Sequence, residues 1–255
     1  MKTTTALRRL RNKTLLKFGP KTHILIACFQ KSGSTYLASL LKNLTSFRGA
    51  GLTQCYGNNE QDLFRFKLEK HSTHNSVSSH HVKGTENNIA LMREYMIKPI
   101  VHTRNIFDVV ISLKGHMEKE GHQTPTGYVH QQYFNMSEED KIMYLIRIHL
   151  SWYFNFLVSW HEASEKMGTL WTSYEELFDS PIRTVSRILD YYSLSFSPKE
   201  IEDAMAKIRP EDVRFNVGTQ GRGQSLLDIH KQAIYDLAKV WKIEKSLLKK
   251  IGIEL

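Results

Sequence analysis

Cysteine is almost missing from this chain. Only Cys28 and Cys55 occur among 255 residues, too few for a disulfide framework, so a reducing compartment, the cytoplasm, is expected. Cys28, inside an apolar run, reads as a small hydrophobe. The sequence also lacks low-complexity tracts, internal repeats and any Pro/Gly/Ser-rich linker. One large domain over residues 21–255 is therefore expected, preceded by a basic arm or helix at 1–20. That first stretch has no acid and lacks the apolar core of a signal peptide. No basic run exceeds three residues, and no zinc-finger or RNA-binding signature occurs. The net charge of +9 thus points away from nucleic acid and towards a phosphorylated small molecule. The most apolar stretch, Ile142–Trp160, is broken by Arg147, His149 and Asn155, which are costly in lipid. A core helix is expected there, and no membrane partner. The histidine-rich stretches (His71, His74, His80, His81) lack the spacing and the Cys or acid partners of a zinc site, so no metal is expected.

What the chain does carry is concentrated in one stretch. Thr22-His-Ile-Leu-Ile-Ala-Cys-Phe29 is short, β-branched and bounded by polar residues, which predicts a buried strand. It breaks at Gln30-Lys31-Ser32-Gly33, and apolar residues then recur at helical spacing through Leu37, Leu40, Leu41 and Leu44. A strand, a tight glycine turn and a helix start make an anion site. The helix N-terminus offers backbone N–H groups and its dipole, and Lys31 adds a full charge. Ser32, Ser34 and Thr35 add hydroxyls. A phosphate is expected at this turn.

Further strands are predicted at Val77–Val82, Pro99–Thr103 and Gly168–Ser173, the first carrying polar residues to an edge. Helices are expected over Gln61–Lys70, Glu86–Ile97, Ile106–Met117, Ser137 to about Lys166, after Ser180-Pro181 and Ser197-Pro198, and from Ser225 onward. The alternation indicates an α/β fold with a central parallel sheet flanked by helices. Ligands in such sheets bind at the carboxyl ends of the strands, where the residues singled out here fall.

A nucleoside-triphosphatase loop is the first alternative, but it places its Lys after its glycines. Here Lys31 precedes Gly33, no upstream glycine stands at the required spacing, and no acid-ended strand offers to hold Mg²⁺. Lys31-Ser-Gly-Ser-Thr-Tyr36 instead resembles the 5′-phosphosulfate loop of the sulfotransferases, Pro-Lys-Ser-Gly-Thr-Thr-Trp. Their second signature, an Arg closing a strand and a Ser about eight residues on, resembles Arg104-Asn-Ile-Phe-Asp108-Val-Val-Ile-Ser112. A late glycine loop resembles Arg214–Gly223. Together these motifs span Thr22 to Gly223.

The resemblance is to the soluble, bacterial-like small-molecule type. It implies a three-layer P-loop-like fold and 3′-phosphoadenosine 5′-phosphosulfate (PAPS) as sulfo donor, with 3′,5′-adenosine bisphosphate (PAP) as product. A ligand phosphorylated at both positions needs two anion sites. Lys31, Ser32, Gly33, Ser34 and Thr35 suit one, and Arg104 with Ser112 the other. Eight residues at ~1.5 Å each put Ser112 about 12 Å along the chain from Arg104, a gap that a long Arg side chain can close onto one phosphate. In the late loop Asn216-Val217-Gly218 stands where the common animal form has Arg-Lys-Gly. Arg222 is expected to restore the charge, with Gly218 and Gly223 as N–H donors and Arg214 in reserve. Tyr36, in the place of the family's Trp, and Tyr174, which ends a strand before Glu175-Glu176, are expected at the adenine.

The family's base is a His that follows a strand and precedes an apolar residue. This selects His81 over His80 in Ser79-His80-His81-Val82, although a shift of one position would select His80. Lys31 is the expected cation at the leaving phosphate. The acceptor is expected to be a small alcohol, phenol or amine, with a carbohydrate as alternative. Gly121–Tyr133 and the helix around Trp152, Tyr153, Phe154 and Phe156 would shape its pocket. Neither O- nor N-sulfation, nor monomer against homodimer, is decided by these residues. The competing functions are a nucleotide phosphotransferase or NTPase, and a nucleotide-binding module without turnover.

Overall fold

The computed structural model describes residues 21–54, 60–121, 124, 126–209 and 219–254. The arm at 1–20, Cys55, Arg214, Asn216, Val217 and Gly218 lie outside them. In chain order the elements are β1 (His23–Cys28), α1 (Ser34–Thr45), β2 (Arg48–Gly49), α2 (Arg65–His71), β3 (Ser76–His80), α3 (Glu86–Glu94), β4 (Lys98–Thr103) and α4 (Ile106–Glu120). There follow α5 (Glu138–Tyr144), α6 (Leu150–Lys166), β5 (Leu170–Ser173), α7 (Tyr174–Asp179), α8 (Pro181–Tyr191), α9 (Pro198–Ala206), α10 (Asp228–Val240) and α11 (Lys245–Lys249). All strand pairs are parallel, in the order β2-β3-β1-β4-β5.

Alternation along β1 explains the three layers. Ile24, Ile26 and Cys28 face one apolar cluster with α1, α8 and α9. Leu25 and Ala27 face the other, built from α3, α4, α6 and the C-terminal helices. A central strand covered on both faces reads as an unbroken apolar run, which is why β1 is legible. Caps mark several helix starts: Thr85, Asn105, Ser137, Ser173 and Ser197 each accept a first-turn N–H.

The structure departs from expectation at β3. It is paired on both sides, to β1 and to the two-residue β2, and Ser76 and Ser78 point inward. Hydrogen bonds make this burial tolerable, since Ser76 Oγ lies 2.9 Å from His23 Nδ1 and Ser78 Oγ donates to Ile24 O. The long helix after Ser137 is also interrupted by a π-helical turn, Leu145–His149, between α5 and α6.

Because the sheet is parallel, the carboxyl ends of β1, β3, β4 and β5 share one edge. Cys28 pairs in register with His102, and Ala27 with His80. The turns that follow, carrying Lys31, His81, Arg104 and Tyr174, are thereby gathered together.

Candidate active site

After β1 the chain turns within five residues. Phe29 N–H donates to His102 O, and Ser32 Oγ donates to Phe29 O at 2.7 Å, closing the turn. Lys31 (φ 66) and Gly33 (φ 77) both adopt the left-handed region. At Gly33 a side chain is excluded on a second count, since a Cβ would stand 2.8 Å from Tyr174 Cδ2. Helix α1 has no acid in its first turn, so its unpaired N–H groups face the loop with their partial positive charge uncancelled. Ser32 and Ser34 are buried, Thr35 is exposed, and Tyr36 is half-buried against the α1-side apolar cluster.

His102 holds this loop from beneath, a role that the sequence did not reveal. Burial pulls its pKa down to about 4, so the ring is neutral with one donor and one acceptor. Nε2–H donates to Ser32 O at 3.0 Å, and Nδ1 accepts from Thr172 Oγ1 at 2.9 Å.

Arg104 joins the two expected anion sites. Nη1 donates to Lys31 O and Nη2 to Thr219 O, both at 3.0 Å, and Asp108 Oδ2 lies 3.5 Å from Nη2. The guanidinium also stacks 4.0 Å above the Tyr174 ring. Tyr174 is thus held between Arg104 and Gly33. Nε of Arg104 is buried without a partner among the described residues. Ser112 is buried farther along α4.

The described part of the late loop folds onto the start of α4. Gly221 is left-handed (φ 76), and Gly223 is pressed against Phe107, where a Cβ would stand 2.8 Å from the carbonyl carbon. Gly223 N–H donates to Asp108 Oδ1 at 2.7 Å, and Gly221 N–H to Asp108 Oδ2 at 2.9 Å. Arg222, half-buried, lies close enough to Tyr174 for its charge to act on that hydroxyl. Asp108 is the second residue whose part here went unread. Its only sequence signal is an acid in the first turn of a helix.

The two adjacent histidines separate clearly. His80 Nε2 accepts from Leu52 N at 2.9 Å and Nδ1 lies 3.3 Å from Thr53 Oγ1, while burial pulls its pKa down to about 4. His81 turns towards the loop instead. Its Nδ1 lies 3.0 Å from Cys28 O and 3.6 Å from Cys28 Sγ, and its ring meets the edge of Trp152. A carbonyl can only accept, so Nδ1 carries the proton and Nε2 is left as the basic nitrogen. Burial works against charge on His81, but the Cys28 sulfur and carbonyl together outweigh it against opposition from Lys31, and the imidazole titrates above its ordinary value. Burial pushes the Cys28 thiol up, and His81 with Ser34 and Ser79 more than reverses this.

On the expected acceptor side, Tyr153, Phe154 and Phe156 are fully buried, with Tyr153 and Phe156 packed edge-on against Phe29. They are core, and Trp152 is the member of that group that reaches His81. Its Nε1 donates to Glu60, which also pairs with Lys83. Gln30 anchors the 121–133 segment: Thr124 Oγ1 donates to its side-chain oxygen at 2.7 Å, and contacts continue through Thr126 to the buried His149. Among the described residues no group of three metal-ligating side chains is assembled, and no helix is long and apolar enough to cross a membrane.

Comparison with known proteins places the chain in a family. The family model described as sulfotransferase domain matches residues 21–220. Among solved structures, the chain is similar to a mouse sulfotransferase, SULT7A1, complexed with PAP, at 13% identity and a TM-score of 0.66, covering 90% of this chain and 88% of that one. It is also similar to retinol dehydratase in complex with androsterone and PAP (14%, TM-score 0.57, covering 97% and 87%). A third likeness is to the sulfotransferase domain of the Synechococcus PCC 7002 olefin synthase (11%, TM-score 0.52, covering 88% and 96%). At these identities the likeness is one of fold. No curated protein sequence matches the chain.

Proposed function

We propose, for a chain that belongs to the sulfotransferase domain family, a division of labour for PAPS-dependent sulfo transfer. His81 is the base, Lys31 the cation at the leaving oxygen and Arg104 the anchor of the 3′-phosphate. The observation that carries this reading is the Nε of Arg104, buried with no partner among the described residues. A buried guanidinium N–H without an acceptor is costly, and an anion placed against it removes that cost.

PAPS, when bound, supplies a sulfo group on a 5′-phosphate leaving group. The chain's residues do the rest. Cys28 O holds His81 Nδ1–H, so Nε2 takes the proton of an attacking hydroxyl or amine. Lys31 and the first-turn N–H groups of α1 meet the charge that collects on the bridging oxygen. Ser32, Ser34 and Thr35 line the 5′ end. Tyr36 and Tyr174 flank the adenine, and Ser112 and Arg222 complete the 3′ site with Arg104. Trp152, edge-on to His81, forms one wall for a small alcohol, phenol or amine. Residues 21–255 act as one cytoplasmic domain.

The test is thermal stabilisation, because a ligand that binds only the folded state raises its stability by mass action. The bisphosphate PAP is expected to raise Tm more than ADP or ATP at equal concentration. Equal shifts from ADP or ATP would remove the case for two phosphate sites and favour a phosphotransferase.

A pH dependence follows from the Cys28–His81 pair. A base must be neutral to accept a proton, so kcat/KM falls as pH drops through the His81 pKa. With that pKa held above the ordinary histidine value by Cys28, the acidic limb is displaced upward as well. In Cys28→Ala the sulfur is gone and only the residue-28 carbonyl still favours the charge, while burial and Lys31 oppose it. The limb is then expected to move to lower pH, read from rate profiles with an acceptor found by mass shift. A limb that stays in place would mean that the sulfur does not act on the base.

A further inference from the structure

The late glycine loop was expected to offer its N–H groups to the 3′-phosphate. Of the two expected donors, Gly223 is otherwise engaged, as is its neighbour Gly221. Asp108, only 3% exposed, takes Gly223 N–H on Oδ1 and Gly221 N–H on Oδ2, across separations of more than a hundred residues. The same Oδ2 lies 3.5 Å from Arg104 Nη2, which also donates to Thr219 O in the same loop. A buried carboxylate is tolerated only where donors surround it, and here the donors are the loop and the arginine. Its place in the first turn of α4 adds the helix dipole.

We infer that Asp108 is the positioning residue of the donor site. Its carboxylate clamps residues 219–223 to α4 and orients the Arg104 guanidinium so that Nε faces the ligand. Nη1 donates to Lys31 O, Nη2 donates to Thr219 O with Asp108 Oδ2 3.5 Å away, and Nε is buried with no partner among the described residues. Gly221 and Gly223 then serve the clamp. Two features of the loop agree with this. Gly223 has no room for a Cβ against Phe107, and Gly221 is left-handed, so residues 221–223 lie close against the start of α4. The inference rests on the reading of Arg104 as the 3′-phosphate anchor.

A residue that positions the 3′ site affects ligands that carry a 3′-phosphate and spares those that do not. Affinities of PAP and adenosine 5′-monophosphate are measured by calorimetry on the whole chain, for wild type, Asp108→Ala and Asp108→Asn. Wild type is expected to prefer PAP strongly. Asp108→Ala is expected to weaken PAP by about 10–100-fold, the scale of one charge-assisted hydrogen bond, and to leave the monophosphate within about threefold. Asp108→Asn keeps one acceptor oxygen for the two N–H groups, so its preference should fall in between. A generally loosened structure would weaken both ligands together, and that result would overturn the inference. So would PAP binding unchanged or tighter in both variants, since a carboxylate that merely repels phosphate gives tighter binding when removed. If wild type itself did not distinguish the two ligands, the assignment of Arg104 would fail and the inference with it.

Discussion

Replacing His81 by Asn should remove turnover while leaving PAP binding close to that of the unaltered protein. A positioned base typically contributes ~10²–10⁴-fold, so a loss of that order is expected in kcat. Asn is the informative replacement because its side-chain N–H₂ can still donate to Cys28 O, keeping the local hydrogen bond at 3.0 Å in place. What disappears is Nε2. The matched control is His80→Asn. That ring accepts Leu52 N–H and touches Thr53, so its loss should cost about 1–3 kcal/mol of stability through a stranded buried group. Turnover by the surviving folded fraction should be near normal. Rates from mass-shift assays and Tm from calorimetry separate the two effects. An inactive but stable His80 variant beside an active His81 variant would reverse the assignment.

How much of this was legible beforehand follows from the range of each contact. The strand, turn and helix around Lys31 are local: a β-branched run, one glycine and a helical apolar period suffice. The coming together of Lys31, His81, Arg104 and Tyr174 also followed, because parallel strands put their carboxyl ends on one edge. The supports were not legible. His102 reads as one more histidine in a buried strand, and only the neighbouring strand brings Thr172 to it and only the fold brings Ser32, each 70 residues away in sequence. Asp108 reads as a favourable first-turn acid, and no periodicity links it to Gly221 and Gly223. Strand β2 is two residues long, too short for any alternation. The aromatic residues Tyr153, Phe154 and Phe156 were misread for the opposite reason. Aromatic content alone does not distinguish a pocket wall from a core; packing of Tyr153 and Phe156 on Phe29, and of Phe154 against Trp241, makes them core.

Lys31 can be separated into a backbone and a side chain by experiment. Its φ of 66 lies in the left-handed region, which costs an L-residue about 1–2 kcal/mol. Glycine removes that cost, although it also gives the unfolded chain more freedom and returns roughly 0.4–1 kcal/mol. Lys31→Gly should therefore melt no lower than the unaltered protein without ligand. The loop's link to Arg104 should survive, because Arg104 Nη1 binds the carbonyl of residue 31 and not its side chain. Turnover, by contrast, should fall by about 10²–10³-fold, the usual loss when one group stabilising a developing anion is removed. Lys31→Met, which keeps the strain and most of the side-chain volume, should lose turnover to the same extent. Agreement between a relaxed and a strained variant would locate the effect in the ammonium charge. A fall of less than about tenfold in both would instead assign the leaving oxygen to the first-turn N–H groups of α1, with Lys31 retained for binding alone.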